Sequence, residues 1–255
     1  MKMPFQIRSP ITKLVSSIVG ALLSASAYSD PLLDDASTEV VGIKPHFVTI
    51  ADLNNDGRPD VVVSTAESNS VSVLLGHGDG SFQTKVDYRT GRWPKSVSTG
   101  DLNDDGALDL VVASQSSNAI TVLLGTGLGT FSAPVNYPTA ALGTHGIDLG
   151  DLNGDGKLDV VATGSGANFL TVRFGNGDGT FGSETVYAAG SGPFSVIIKD
   201  FNHDGHNDVA TANTGSRTIS IFLNDGTGHL ANQVTYPTGG AGGQKKRRES
   251  SRAVE

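Results

Sequence analysis

Asp52, Asn54, Asp56 and Asp60 stand at positions 1, 3, 5 and 9 of one nine-residue stretch, and the same spacing returns three more times. The later copies carry Asp101, Asn103, Asp105 and Asp109, then Asp151, Asn153, Asp155 and Asp159, then Asp200, Asn202, Asp204 and Asp208. Side-chain oxygens at alternate positions around a tight turn suit a hard cation. Ca²⁺ takes about six to eight oxygen ligands and tolerates irregular geometry, whereas Mg²⁺ demands a near-ideal octahedron. Position 6 is Gly in every copy (Gly57, Gly106, Gly156, Gly205), as a turn with a left-handed residue requires. Position 7 is Arg58, Ala107, Lys157 or His206, side chains with nothing in common, so its ligand is expected to be the backbone carbonyl. The aspartate at position 9 is expected to close the site with one or two oxygens. Zinc is disfavoured, because the chain has no Cys and only His203 and His206 fall inside a loop. The expectation is one Ca²⁺ per loop, four in all, in a strand-loop-strand setting, since apolar β-branched residues follow each loop instead of a helix.

The first aspartates lie 49, 50 and 49 residues apart, which makes the loops parts of a structural repeat. Each unit holds four strand signals. One precedes the loop, as in Ser96–Thr99. One follows it at once (Val61–Val63, Leu110–Ala113, Val160–Ala162, Val209–Thr211), and these continuous apolar runs imply burial on both faces. A third starts at Val71, Ile120, Leu170 and Ile219, and a fourth ends near Tyr88, Tyr137, Tyr187 and Tyr236. Gly-rich turns ending in Phe82, Phe131, Phe181 and Leu230 join the last two strands. A dinucleotide fingerprint would need a helix after the glycines, and here a strand follows. The Phe or Leu at the end of each turn is expected to fill the space between neighbouring units.

Units of four strands with such loops, together with turns of the form Leu-Leu-Gly-x-Gly-x-Gly-x-Phe, resemble the FG-GAP/VCBS repeats, which also build integrin α-subunit head domains. The resemblance covers roughly residues 40–238. It implies an all-β fold, a β-propeller of four-stranded antiparallel blades, with calcium in the loop between the first two strands of each blade. It also implies that the loop residues named above are the ligands. Such propellers have about seven blades, and four are encoded here, so the expectation is either a closed four-bladed ring or a partial propeller. Ser37–Gly42 reads as a leftover outer strand.

The flanks read differently. Lys2, Arg8 and Lys13 precede an apolar run from Leu14 to Ala27 that ends in Ala25-Ser26-Ala27, so residues 1–27 read as a signal peptide and 28–42 as a lead-in. The run is too short and too Ser-rich for a membrane span. The expected location is secreted, periplasmic or at the cell surface, with no span in the mature chain. Residues 43–238 form the repeats, and the Gly-rich, basic stretch 239–255 reads as a disordered tail. Without the N-terminal segment and the stretch from Gln244 onward, 10 cations face 24 acids. This balance argues against nucleic acid as a partner. The three aspartates per loop supply most of it.

Residues fixed across the four units serve architecture, and those that vary are free to bind. The loops joining strand 4 to the next strand 1, and strand 2 to strand 3, share the face opposite the metal loops. They hold Lys44-Pro45-His46-Phe47, Gly91-Arg92-Trp93-Pro94-Lys95, Gly143-Thr144-His145-Gly146 and Gly192-Pro193-Phe194, and also Glu67, Asn69 and Asn118. Arg92 and Trp93, the only Trp, are the expected contacts to a protein or glycan partner. Packing of Trp93 between blades is the competing reading. No metalloprotease or serine-hydrolase motif is present. The expected function is therefore recognition or adhesion rather than catalysis. The alternatives are a purely structural segment, or a propeller enzyme such as a polysaccharide lyase, which would need Lys, Arg, His or Tyr side chains converging at the channel mouth.

Overall fold

The computed structural model describes residues 38–239, which are β throughout apart from one 3₁₀ turn, Gln115–Ser117. The first blade is β1 (Pro45–Ala51), β2 (Asp60–Thr65), β3 (Ser70–Leu74) and β4 (Val86–Arg89). The second is β5 (Pro94–Gly100), β6 (Asp109–Ser114), β7 (Ala119–Leu123) and β8 (Val135–Pro138). The third is β9 (Thr144–Gly150), β10 (Asp159–Gly164), β11 (Phe169–Gly175) and β12 (Phe181–Ala188). The fourth is β13 (Pro193–Lys199), β14 (Asp208–Asn213), β15 (Thr218–Phe222) and β16 (Val234–Pro237). Within each blade the strands pair antiparallel in chain order. The innermost strands lie side by side as β1, β5, β9 and β13.

Each second strand is sandwiched, as its unbroken apolar run requires: β2, β6 and β10 are buried along their whole length. Alternate side chains serve opposite neighbours. Leu110 and Val112 pack with Val62, Val71 and Val73 of the first blade, while Val111 and Ala113 pack with Val160 and Ala162 of the third. The Gly-rich turns lock the seams. Phe131 meets Tyr88 edge-on at 5.2 Å between ring centroids, and Phe181 meets Tyr137 at 5.6 Å. Such pairs add about 0.5–1.5 kcal/mol beyond their buried area. Gly129 N–H donates to Leu53 C=O and Gly179 N–H to Leu102 C=O, each at 3.0 Å, so the turns of the second and third blades are pinned to the metal loop of the blade before them.

The array is open. β5 and β9 are buried over their first halves, but β1 and β13 are largely half-buried or exposed. The fourth blade shows what its missing neighbour would cover. Loop position 2 is buried as Leu53, Leu102 and Leu152, yet Phe201 at the same position is 40% exposed, and Tyr236, with no following Phe, is 53% exposed. Of Ser37–Gly42, the structure describes residues 38–42, and they form no strand. The reason is topological, since each of the four sheets already has an outer strand from its own repeat. Residues 1–37 and 240–255, and with them the expected signal peptide and nearly all of the expected tail, lie outside the described residues.

Candidate metal centres and the opposite face

Each nine-residue loop leaves the first strand of a blade and returns as the second. Two left-handed residues make the turn. Position 6 has φ between 77° and 91° in Gly57, Gly106, Gly156 and Gly205. A Cβ built on any of them meets nothing within 4 Å, so it is the backbone angle, not space, that requires Gly. Position 4 is left-handed too: Asn55, Asp104, Gly154 and His203 have φ of 58°, 58°, 74° and 63°. The sequence reading missed this position because its identity varies. Asn, Asp, Gly and His are nevertheless the residue types that tolerate this region best.

The side chains at positions 1, 3 and 5 turn inward. Asp52, Asp101, Asp151 and Asp200 accept the position-6 N–H at 2.7–3.0 Å. Asp56, Asp105, Asp155 and Asp204 accept the position-7 N–H at 2.8–3.0 Å. The amides of Asn54, Asn103 and Asn202 donate to the position-5 carboxylate at 3.1, 2.9 and 2.7 Å. Asn153 instead accepts the Asp155 N–H at 3.0 Å. The other end of the Asn103 amide is the telling atom. Its Oδ1 is buried and has no hydrogen-bond partner. Burial of such an oxygen without a donor is costly, and a cation inside the loop would satisfy it.

The position-9 aspartates do more than the sequence suggested. Asp60, Asp109, Asp159 and Asp208 are fully buried. One carboxylate oxygen of each accepts the N–H of loop position 2 (Leu53, Leu102, Leu152, Phe201) at 2.8–3.0 Å. The other accepts the first N–H of the Gly-rich turn (Gly76, Gly125, Gly175, Asn224) at 2.7–2.9 Å. These side chains therefore staple the metal loop to the turn of their own blade. Burial raises the carboxyls of Asp60 and Asp109 above their ordinary value and pushes Asp159 up to about 6, against the lowering effect of the two donated bonds. At exposed Asp204 the balance reverses, and the N–H of His206 and the amide of Asn202 hold its carboxyl below the ordinary range.

Among the described residues no three His, Asp or Glu side chains converge closely enough to hold an ion by themselves. A complete shell would use the position-1 and position-5 carboxylates, the position-3 amide oxygen, the carbonyl of Arg58, Ala107, Lys157 or His206, and a lone pair of the position-9 carboxylate. All are oxygens, the donor set of calcium. Asp105→Ala is expected to remove one bound ion from the isothermal titration stoichiometry, while Lys157→Ala, which keeps the carbonyl, removes none. The loop assignment does not survive equal stoichiometry in the two variants.

On the opposite face, Arg92 is exposed and Trp93 half-buried. The Trp93 N–H donates to Asn69 Oδ1 at 2.8 Å, and Lys44 Nζ lies 4.6 Å from the centroid of the Trp93 ring. Trp93 thus bridges the first seam from the outside while keeping part of its ring in solvent. The side-chain oxygens of Asn69 and Asn118 serve structure. Asn118 Oδ1 holds the Gly143 N–H at 2.7 Å just as Asn69 holds Trp93. Glu67 forms an ion pair with Lys44 at 3.1 Å.

The FG-GAP-like repeat is matched at residues 52–112, 101–162 and 151–211, each match opening on a metal loop and running past the next one. No curated protein matches the chain. Among solved structures, it resembles an Agrocybe aegerita lectin that recognises non-reducing terminal N-acetylglucosamine, at 22% identity over 79% of this chain and 54% of that one, with a TM-score of 0.54. A functionally unknown protein from Desulfotomaculum acetoxidans matches at 16% identity, 79% and 58% coverage and a TM-score of 0.57. Virginiamycin B lyase from Staphylococcus aureus matches at 14%, 76% and 55%, with a TM-score of 0.52. These are likenesses of fold, and the chain spans just over half the length of those proteins.

Proposed function

Because this chain belongs to the FG-GAP-like repeat family, we propose that it is a calcium-binding β-propeller module, exported from the cell, that presents the face opposite its metal loops to a protein or glycan partner. The observation that carries the calcium reading is the buried, partnerless Oδ1 of Asn103 inside a loop whose other side chains are oxygen donors. In this reading each ion ties the first two strands of a blade together and holds its loop in the form that the next blade's turn grips. Asn55 Nδ2 donates to the carbonyl of Gly106 at 3.3 Å, and Asn207 Nδ2 to that of Asp151 at 2.9 Å. These bonds link loop to neighbouring loop and would pass the rigidity along.

The recognition reading rests on the division of labour between the two faces. The metal-loop face is nearly identical in every repeat, whereas the opposite face varies and offers an exposed Arg beside a half-exposed Trp. Residues of these types dominate recognition hot spots. The chain contains no helix among its described residues that is long and apolar enough to cross a membrane. A glycan array and a panel of extracellular proteins, probed in millimolar calcium, test the reading. Arg92→Ala combined with Trp93→Ala is expected to abolish the interaction and leave calcium stoichiometry unchanged. A melting drop of the size of a buried Trp→Ala change, roughly 3–5 kcal/mol, with no selective loss of binding would assign the pair to packing instead.

A further inference from the structure

His46, Lys95, His145 and Phe194 occupy one position, the second residue of β1, β5, β9 and β13. Equivalent residues of innermost strands converge toward the axis of a radial array, and here they meet. His46 and His145 belong to the first and third blades, yet their rings lie edge to face at 5.3 Å between centroids. His145 continues to Phe194 of the fourth blade at 3.5 Å, and its Nδ1 lies 3.2 Å from the Phe194 carbonyl oxygen. Lys95 comes from the blade between the two histidines. Lys95 is only 9% exposed and His145 only 6%.

No carboxylate faces this cluster to balance it. Among the described residues Lys95 Nζ has no hydrogen-bond or ion-pair partner, and Glu67 on the same face is paired with Lys44. In a chain with 26 acids and 18 Lys and Arg, a lysine with little exposed surface and an unpaired ammonium runs against the prevailing charge. Burial and then Lys44 lower the Lys95 ammonium below its ordinary value. Burial, then Lys95 and Lys44, lower His46. Burial, with His46 and Lys95 after it, pushes His145 down to about 4. Every charged neighbour acting on these groups is a cation.

The rim carries backbone strain. The residue two positions before each of the four is left-handed: Lys44 at φ 59°, Trp93 at 60°, Gly143 at 68° and Gly192 at 61°. The third and fourth blades use Gly, to which this conformation costs nothing, whereas the first two force a Lys and a Trp into it. Bulky residues kept in such a region cluster at binding sites.

We propose that the axial ends of β1, β5 and β9 form a site for an oxyanion, the carboxylate or sulfate of a small ligand, with Lys95 at its centre, His46 and His145 beside it, and Lys44 and Trp93 at its rim. The proposal deepens the recognition reading, on which it rests, by giving the ligand its charge. An oxyanion between Lys95 and the imidazoles would give the unpaired ammonium charge-assisted hydrogen bonds. The aromatic face of Trp93 offers a platform for an attached ring.

The test titrates the full chain, in millimolar calcium at constant chloride, with sodium sulfate, sodium glucuronate and glucose. Sulfate or glucuronate is expected to bind and glucose not to bind. Tighter binding of glucuronate assigns the oxyanion to a saccharide, and tighter binding of sulfate to a free anion. Lys95→Gln is expected to weaken binding at least tenfold, Lys95→Arg to retain most of it, and Arg89→Gln, which removes an exposed cation from the outer strand β4, to leave it unchanged. Lys95→Met is expected to melt above the wild type without anion and to lose the rise in melting that anion gives the wild type. Failure of both anions to bind, or unchanged affinity in Lys95→Gln, overturns the site. A neutral glycan captured through Arg92 and Trp93 would then leave the recognition reading standing. Lys95-dependent anion binding with no protein or glycan partner would keep the site and remove that reading.

Discussion

Asp109→Ala is expected to cost about 2–6 kcal/mol, because it leaves the N–H groups of Leu102 and Gly125 buried without acceptors, at about 1–3 kcal/mol each. Asp109 is completely buried, and its two oxygens hold those donors at 2.8 and 2.7 Å. The carboxylate itself is costly to bury, which is why its pKa is raised. Its removal returns some of that cost, but cannot replace two acceptors inside a closed seam. For a domain of this size the loss corresponds to a fall in melting of roughly 5–20 °C. The informative comparison is Asp105→Ala in chelator. Asp105 is exposed, and its side chain accepts the Ala107 N–H and the Asn103 amide at the protein surface, so a smaller loss of about 1–2 kcal/mol is expected. Equal melting of the two variants without calcium would show that position 9 is a ligand and nothing more.

The repeat was legible because its signals are local. An interval of 49 or 50 residues, continuous apolar runs after each loop and an aromatic at each turn end fix four blades with two-faced burial, and Phe131 and Phe181 fill the seams as their positions suggest. The second job of position 9 was hidden, because Asp is both a ligand and an acceptor of N–H bonds, and spacing cannot tell the two apart. The structural job of Asn69 and Asn118 was hidden for a related reason: a loop position varies in sequence and still serves structure through its amide oxygen. The axial cluster was within reach. Aligning the repeats on their loops puts His46, Lys95, His145 and Phe194 in one column. What the column lacks is the knowledge that equivalent positions meet at the axis, which is a property of the assembled blades. The openness of the array lies beyond any local signal, since the half-exposed Phe201 and Tyr236 have the same spacing as their better-covered counterparts.

Calcium is expected to have the largest effect of all on stability. A ligand that binds only the folded state adds RT ln(1 + [L]/Kd), about 2.7 kcal/mol when its concentration is a hundred times Kd. Extracellular calcium modules bind at about 10⁻⁴–10⁻³ M. At ten millimolar calcium each occupied loop should therefore contribute about 1.4–2.7 kcal/mol, and the four loops act on one continuous array. Melting in calcium should exceed melting in chelator by tens of degrees, at about 2–4 °C per kcal/mol for a domain of this size. The direction of the pH dependence separates calcium from a general salt effect. Asp159 has its folded pKa raised from 3.8 to about 6, so its neutral form is the one the apo fold favours. That contribution is fully present below the unfolded pKa and is lost as pH rises through about 6. In chelator the protein should consequently melt higher at pH 5 than at pH 7. In calcium the order should reverse, because the cation favours the ionised carboxylates and protons compete with it. Superimposable melting curves with and without calcium would remove the metal from this fold, and the same pH order in both would remove the position-9 carboxylates from its ligands.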